Sequence, residues 1–132
     1  MSLMGLVACS GEKPQGEDTC CTKKADMEVV LNIERRLLPE QVSAFRASFE
    51  KCKEGTLSKE KGCLLYTMYQ SYTDTCVFFI AERWVNKDAH KLHMTFDHFK
   101  EHAASVKGFG DKNYKTQFSE IYVCPKENAK AK

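Results

Sequence analysis

Cys76-Val77-Phe78-Phe79-Ile80-Ala81-Glu82-Arg83-Trp84 is the stretch whose reading decides the fold. It is rich in aromatic and β-branched residues and reads as a strand. Alternation puts Phe78, Ile80, Glu82 and Trp84 on one face and Val77, Phe79, Ala81 and Arg83 on the other. Just upstream, Cys63-Leu64-Leu65-Tyr66-Thr67-Met68-Tyr69 is also apolar on both faces, and Ser71 to Thr75 supplies a turn. Two strands joined by a short turn make an antiparallel hairpin. One layer of helices covers only one face of such a hairpin, so the other face calls for a second copy of the chain.

Outward from the hairpin, Met27 to Leu37 reads as a strand, and Pro39 fits the first turn of a helix. Val42, Phe45, Phe49, Cys52 and Thr56 then recur at helical spacing, while Gly55 weakens the last turn. On the other side, Asn86 caps a short helix over Lys87 to His93. Thr95 reads as the cap of another, with Phe96, Phe99, Ala103 and Val106 as its core stripe. Lys107 to Asn113 is a loop; Thr116 to Cys124 is a last strand, ended by Pro125. The order is β-α-β-β-α-β with the second helix broken in two. The expected fold class is α+β: a ferredoxin-like split βαβ with an antiparallel sheet.

The chain has 132 residues and a formal charge of +2, which fits one folded domain and makes no case for nucleic acid. No apolar run approaches the ~18 residues of a membrane span. The domain is expected over 27–125, with a flexible C-terminal tail over 126–132. Residues 1–26 lack periodicity and read as a disordered tail or as a truncated lipoprotein leader and linker. Leu6-Val7-Ala8-Cys9 fits a lipobox, but no basic residue precedes Cys9. The location is therefore open: cytoplasmic or, if Cys9 is lipidated, anchored in the cell envelope, the one membrane contact expected.

Of the seven cysteines, Cys52, Cys63, Cys76 and Cys124 fall in the domain, and no Cys-x-x-Cys pair suggests a zinc site. Those four read as small buried hydrophobes. In an oxidising compartment the adjacent Cys20 and Cys21 would be candidates for intermolecular bridging.

The candidate site comes from the segment Glu82 to Phe99. A carboxylate and an indole on one strand face are followed by two helix-borne imidazoles, His93 and His98. Glu82 either enters the cleft or stands at an edge in solvent. His93 and His98 titrate near neutral pH and are candidate catalytic bases; alternatively His93 pins its helix and His98 bonds nearby backbone. Tyr66 or Asn32 could hydrogen-bond an oxyanion, and Trp84 could stack on a ring; Tyr66 and Trp84 could equally be core. The expected cavity is enclosed by Asn32, Tyr66, Glu82, Trp84, His93 and His98. It suits a flat, mostly apolar small molecule with one or two oxygens. His98 and His102 stand one helical turn apart, a spacing that can hold a metal, yet no third ligand is evident. These histidines read as surface residues, and no metal is expected.

The ordered features resemble the antibiotic biosynthesis monooxygenase superfamily of dimeric α+β barrels. They are the Pro39 helix with Phe45 and Phe49, Gly62-Cys63-Leu64-Leu65-Tyr66, Glu82-Arg83-Trp84, Ala89-x-x-x-His93 and Thr95-x-x-His98-Phe99. The resemblance spans about Glu28 to Val123 and implies a homodimer with a pocket between sheet and helices. It also implies a divided function. Some members oxidise quinol-like substrates with O₂ and no cofactor, which is the reading preferred for this chain. One branch isomerises a phosphorylated autoinducer-2 sugar and would want a cationic clamp, for which Arg35, Arg36 and Arg83 are the candidates. A haem-degrading branch uses an asparagine, a tryptophan and a histidine, which Asn32, Trp84 and His93 match only loosely. A non-catalytic small-molecule-binding dimer is the remaining alternative.

Overall fold

The computed structural model describes residues 23–125. The lipobox at Cys9, the Cys20-Cys21 pair and the C-terminal tail lie outside the described residues. A single 3-10 turn, Lys24–Asp26, precedes strand β1, Glu28–Arg36. Helix α1 (Val42–Lys59), strands β2 (Cys63–Gln70) and β3 (Val77–Trp84), helices α2 (Lys87–His93) and α3 (Asp97–Ser105) and strand β4 (Gln117–Val123) follow. The four strands form one antiparallel sheet in the order β2-β3-β1-β4. The β-α-β-β-α-β order and the ferredoxin-like α+β class are as the sequence reads.

Register explains which residues meet. Ile33 pairs with Ile80, Leu31 with Glu82 and Val29 with Trp84, while Tyr66 pairs with Glu82 from the other side. Paired residues point to the same face, so one face collects Val29, Leu31, Tyr66, Phe78, Ile80, Glu82 and Trp84, all buried. The three helices cover that face. The α1 stripe supplies Phe45, Phe49, Cys52 and Thr56, each fully buried. Phe45 meets the Phe78 ring at 5.6 Å between centroids, and Phe49 stacks on Tyr66 at 5.1 Å. Burying one such aromatic side chain contributes roughly 1.5–3 kcal/mol.

The opposite face is open. Leu65, Tyr69, Phe79, Ile121 and Val123 are exposed along it. A shallow concavity of about 390 Å³ lies there, lined in part by Asn32, Tyr69, Phe79, Ala81 and Ser119.

Two local readings are corrected. Phe96, not Thr95, precedes the first residue of α3, and the Thr95 hydroxyl donates instead to the Leu92 carbonyl at 2.6 Å. A threonine two residues past a helix end can satisfy one of that helix's last carbonyls, and here this wins over capping the next helix. In the α3 stripe, Phe99 and Val106 pack on the core but Ala103 is exposed. His102 takes the inward position, with its ring 5.7 Å from Phe45 and 5.9 Å from Phe49.

Candidate functional site

Three elements converge at the Trp84 end of the covered face. Strand β3 brings Glu82 and Trp84 in together, and the indole Nε1 donates to Glu82 Oε2 at 3.0 Å. Helix α2 is fixed at its start by Asn86, whose side chain accepts from the Ala89 amide at 2.8 Å. Seven residues from that start, the helix delivers His93 into the core. The imidazole lies 4.7 Å from Trp84, 5.3 Å from Tyr66 and 4.7 Å from Phe99, centroid to centroid. Helix α3 then carries His98 in its first turn.

What joins the two imidazoles is a residue the sequence reading missed. Glu60, just past the end of α1, is buried, and its Oε1 accepts from His93 Nδ1 at 2.7 Å and from His98 Nε2 at 2.5 Å. With Glu60 as the carboxylate, which only accepts, both ring nitrogens that face it carry protons. That fixes the tautomers: in the neutral form His93 keeps its lone pair on Nε2 and His98 on Nδ1. His93 Nε2 is buried with no hydrogen-bond partner.

The helix gives up a side chain to admit this contact. A Cβ at Gly55 would stand 2.6 Å from the His98 ring. Glycine in mid-helix costs roughly 0.5–1 kcal/mol relative to alanine, yet α1 runs on unbroken to Lys59. The expectation that Gly55 merely weakens the last turn thus gives way to a steric reason. At the same corner, a Cβ at Gly62 would lie 2.6 Å from the Ala89 Cβ, so α2 sits directly on the start of the hairpin.

Burial sets the electrostatics. Glu82 is pushed up to about 6, chiefly because its charge is desolvated, with the Trp84 N–H opposing. Burial pushes His90 down to about 4, with Lys87 and His93 adding to the effect. His93 is also lowered by burial, against the raising influence of Glu60. Tyr66 is driven above its ordinary value by burial and then by Glu82, so its hydroxyl stays protonated, 3.5 Å from Cys52 Sγ.

Five of the six sequence-chosen residues are therefore neighbours: Tyr66, Glu82, Trp84, His93 and His98. They pack against one another rather than wall an open cavity, with Tyr66 and Trp84 rings 6.4 Å apart. Asn32 is the exception. It pairs with Ala81 and Ser119, is exposed, and belongs to the open face of the sheet, away from Glu82 and Trp84. The four histidines are not surface residues either: His93 is buried and His90, His98 and His102 are half-buried. His102 Nδ1 bonds Ser48 Oγ at 2.8 Å and is not joined to His98 through a shared ligand position. The third group lacking for a metal-type cluster is Glu60, whose ligand atom lies within 4.8 Å of those of His93 and His98.

The arginines considered for an anion clamp do not converge. Arg35 donates to the Phe109 carbonyl at 2.6 Å, Arg36 pairs with Asp74 and Asp111, and Arg83 pairs with Glu28.

Two clefts reach the cluster from outside. One, of about 270 Å³, is lined by Glu60, Trp84, Ala89, Leu92 and Phe96, with Lys59 and Lys61 among its residues. The other, of about 390 Å³, runs between α1 and α3 past Ser48, Cys52, His98, Glu101 and His102. The first has the walls for a flat ring and a carboxylate within it; the second gives access to His98.

A family model described as antibiotic biosynthesis monooxygenase matches residues 28–105. No curated protein matches the chain. Among solved structures, a conserved protein from Methanosarcina mazei Go1 is 24% identical, with a TM-score of 0.65, over 76% of this chain and 96% of its own. A protein from Caulobacter crescentus CB15, provisionally named an antibiotic biosynthesis monooxygenase, is 20% identical with a TM-score of 0.66 over 74% and 91%. A structure titled antibiotic biosynthesis monooxygenase, 18% identical, has a TM-score of 0.63 over 74% and 99%. At these identities the structural likenesses speak for the fold.

Proposed function

The chain belongs to the antibiotic biosynthesis monooxygenase family, and on that premise we propose that it oxygenates a small quinol-like aromatic compound without a resident cofactor. The observation that carries this reading is the Glu60 carboxylate bonded to two buried imidazoles beside an aromatic-walled cleft. Direct reaction of an organic compound with O₂ is easiest from its deprotonated, electron-rich form. The protein's task is then to take a phenolic proton in a place that excludes water. Both imidazoles bond Glu60 Oε1, which leaves Oε2 uncommitted to them in a residue that lines the cleft. Glu60 accepts the proton, and His93 and His98 stabilise or relay it. Leu92 and Phe96, accessible at the cleft, hold the ring, with Trp84 buried behind them.

The stoichiometry needs no outside reductant: a hydroquinone and O₂ give a hydroxyquinone and water. Purified protein should therefore consume O₂ and hydroquinone one to one, and His98→Ala should lower kcat by roughly 10²–10⁴-fold. Turnover of wild-type protein at the uncatalysed rate would sink the proposal. Normal turnover by His98→Ala would remove His98 from the mechanism. With the Arg35, Arg36 and Arg83 side chains engaged elsewhere, the arginine clamp that the sugar-phosphate isomerase alternative calls for is not assembled.

A homodimer is proposed with it. Helices cover one sheet face, while Leu65, Tyr69, Phe79 and Ile121 expose apolar surface on the other, the surface a second copy would cover. Sedimentation at micromolar concentration should give twice the chain mass; a monomer would overturn this part.

A further inference from the structure

We infer that Glu60, His93 and His98 form a binding site for one divalent transition-metal ion. Two imidazoles and a carboxylate are a donor set for zinc, cobalt, nickel or ferrous iron. Bonds of about 2.0–2.2 Å at tetrahedral to octahedral angles require donor atoms about 3.0–3.4 Å apart. Glu60 Oε1 stands 2.7 Å from His93 Nδ1 and 2.5 Å from His98 Nε2. All three atoms lie within 4.8 Å of one another. Glu60 Oε1 thus stands a few tenths of an ångström closer to each imidazole nitrogen than a shared metal ion would hold it, and the two nitrogens are within 4.8 Å of each other.

Two further features mark the cluster as built. Gly55 leaves the space the His98 ring occupies, since any Cβ there would lie 2.6 Å from it. The unpartnered His93 Nε2 is the second. With the Nδ1 proton directed at Glu60, a bare lone pair is buried at Nε2 among the rings of Trp84, Tyr66 and Phe99. A cation on Nδ1 moves the proton to Nε2, and an N–H beside aromatic rings is a weakly favourable contact. Metal binding replaces a buried, unsatisfied acceptor with a donor that has somewhere to point. The cleft between α1 and α3, which His98 lines, gives an ion a way in.

This inference rests on ligand geometry and stands apart from the oxygenase proposal. The ion would use the groups that the proton-transfer role needs, so bound metal inhibits metal-free turnover. The full chain, stripped with chelator, is titrated with Co²⁺ and followed by calorimetry and by absorption. One ion per chain should bind, with an oxygen–nitrogen spectrum and no thiolate charge-transfer band, which separates the site from the cysteines. His98→Ala and Glu60→Gln should weaken binding by at least tenfold with far-UV circular dichroism unchanged. Gly55→Ala, which removes no ligand, should also weaken it; His102→Ala should not. No Co²⁺ binding, a thiolate band, or an affinity indifferent to His98→Ala would overturn the inference. Binding without quinol turnover in stripped protein would keep the metal site and remove the proposed function.

Discussion

The helix-covered face of the sheet has two ends that are equally buried and chemically unlike. At one end Phe45, Phe78 and Ile80 meet as hydrocarbon, with the Arg35 guanidinium lying over the Phe45 ring and its Nε buried without a hydrogen-bond partner. At the other, Glu60, Glu82 and His93 are buried beside Trp84 and Tyr66. Desolvation there raises Glu82 and lowers His93, which means each charged form is disfavoured in place. A fold that needed only stability would fill both ends as it fills the first. Ionisable groups are desolvated at the first end too, but only at the second do they bond one another, Glu60 to His93 and His98, and this marks the second end as the one shaped for chemistry.

Substitutions can break this contrast. Phe45→Ala, at the hydrocarbon end, should cost about 3–5 kcal/mol of stability by urea unfolding, while oxygen uptake per folded molecule stays near wild type. A loss of turnover in a variant still folded would show that the two ends are coupled.

Glu82→Gln should act in the opposite direction. The carboxyl's folded value of about 6 lies above its ordinary 4.5. The difference, about 6 minus 4.5, at about 1.36 kcal/mol per pH unit is an upper bound of about 2 kcal/mol. Because the folded value is raised, this contribution is fully present below pH 4.5 and lost as pH rises through about 6. Glutamine carries no such charge, so the variant should be more stable than wild type at pH 7. His90 has the reverse sign: its folded value of about 4 means stability present above 6.5 and lost on acidification. The two oppose each other in wild type, so Glu82→Gln should lose stability more steeply between pH 6.5 and 4.5. Urea unfolding at both ends of that range checks both signs; a variant less stable at pH 7 would contradict the reading of Glu82.

A smaller effect sharpens the comparison. Asn86→Ala removes the cap of α2 and should cost about 1 kcal/mol. Hydrogen exchange should show the loosening concentrated in α2, the helix that delivers His93, with the Phe45 end unaffected. Uniform loosening would mean that α2 is not a separable unit.

The strand faces were readable because alternation in β3 survives in three dimensions: Phe78, Ile80, Glu82 and Trp84 are the residues that face the helices. The α1 stripe was readable for the same reason, from its 3.6-residue period. Asn32 shows a signal present but unused. It alternates with Leu31 and Ile33, so once those face the core Asn32 must face away, and its pairing with Ala81 fixes this. Glu60 was not legible. It sits in Lys59-Glu60-Lys61-Gly62, which reads as a charged turn, and its partners lie 33 and 38 residues further on. Nor was Gly55, since mid-helix glycine signals weakness until the ring lying against it is known.

The central claim is that Glu60, His93 and His98 work as one proton-handling unit. The most direct test is a double-mutant cycle on hydroquinone-dependent oxygen uptake, using Glu60→Gln, His98→Ala and the pair, in chelator-treated protein whose folding is verified. Groups that act as a unit are strongly non-additive. The account predicts that each single change lowers kcat by roughly 10²–10⁴-fold and that the pair lowers it scarcely further. Single effects that multiply in the pair, or singles that turn over as wild type does, would contradict it.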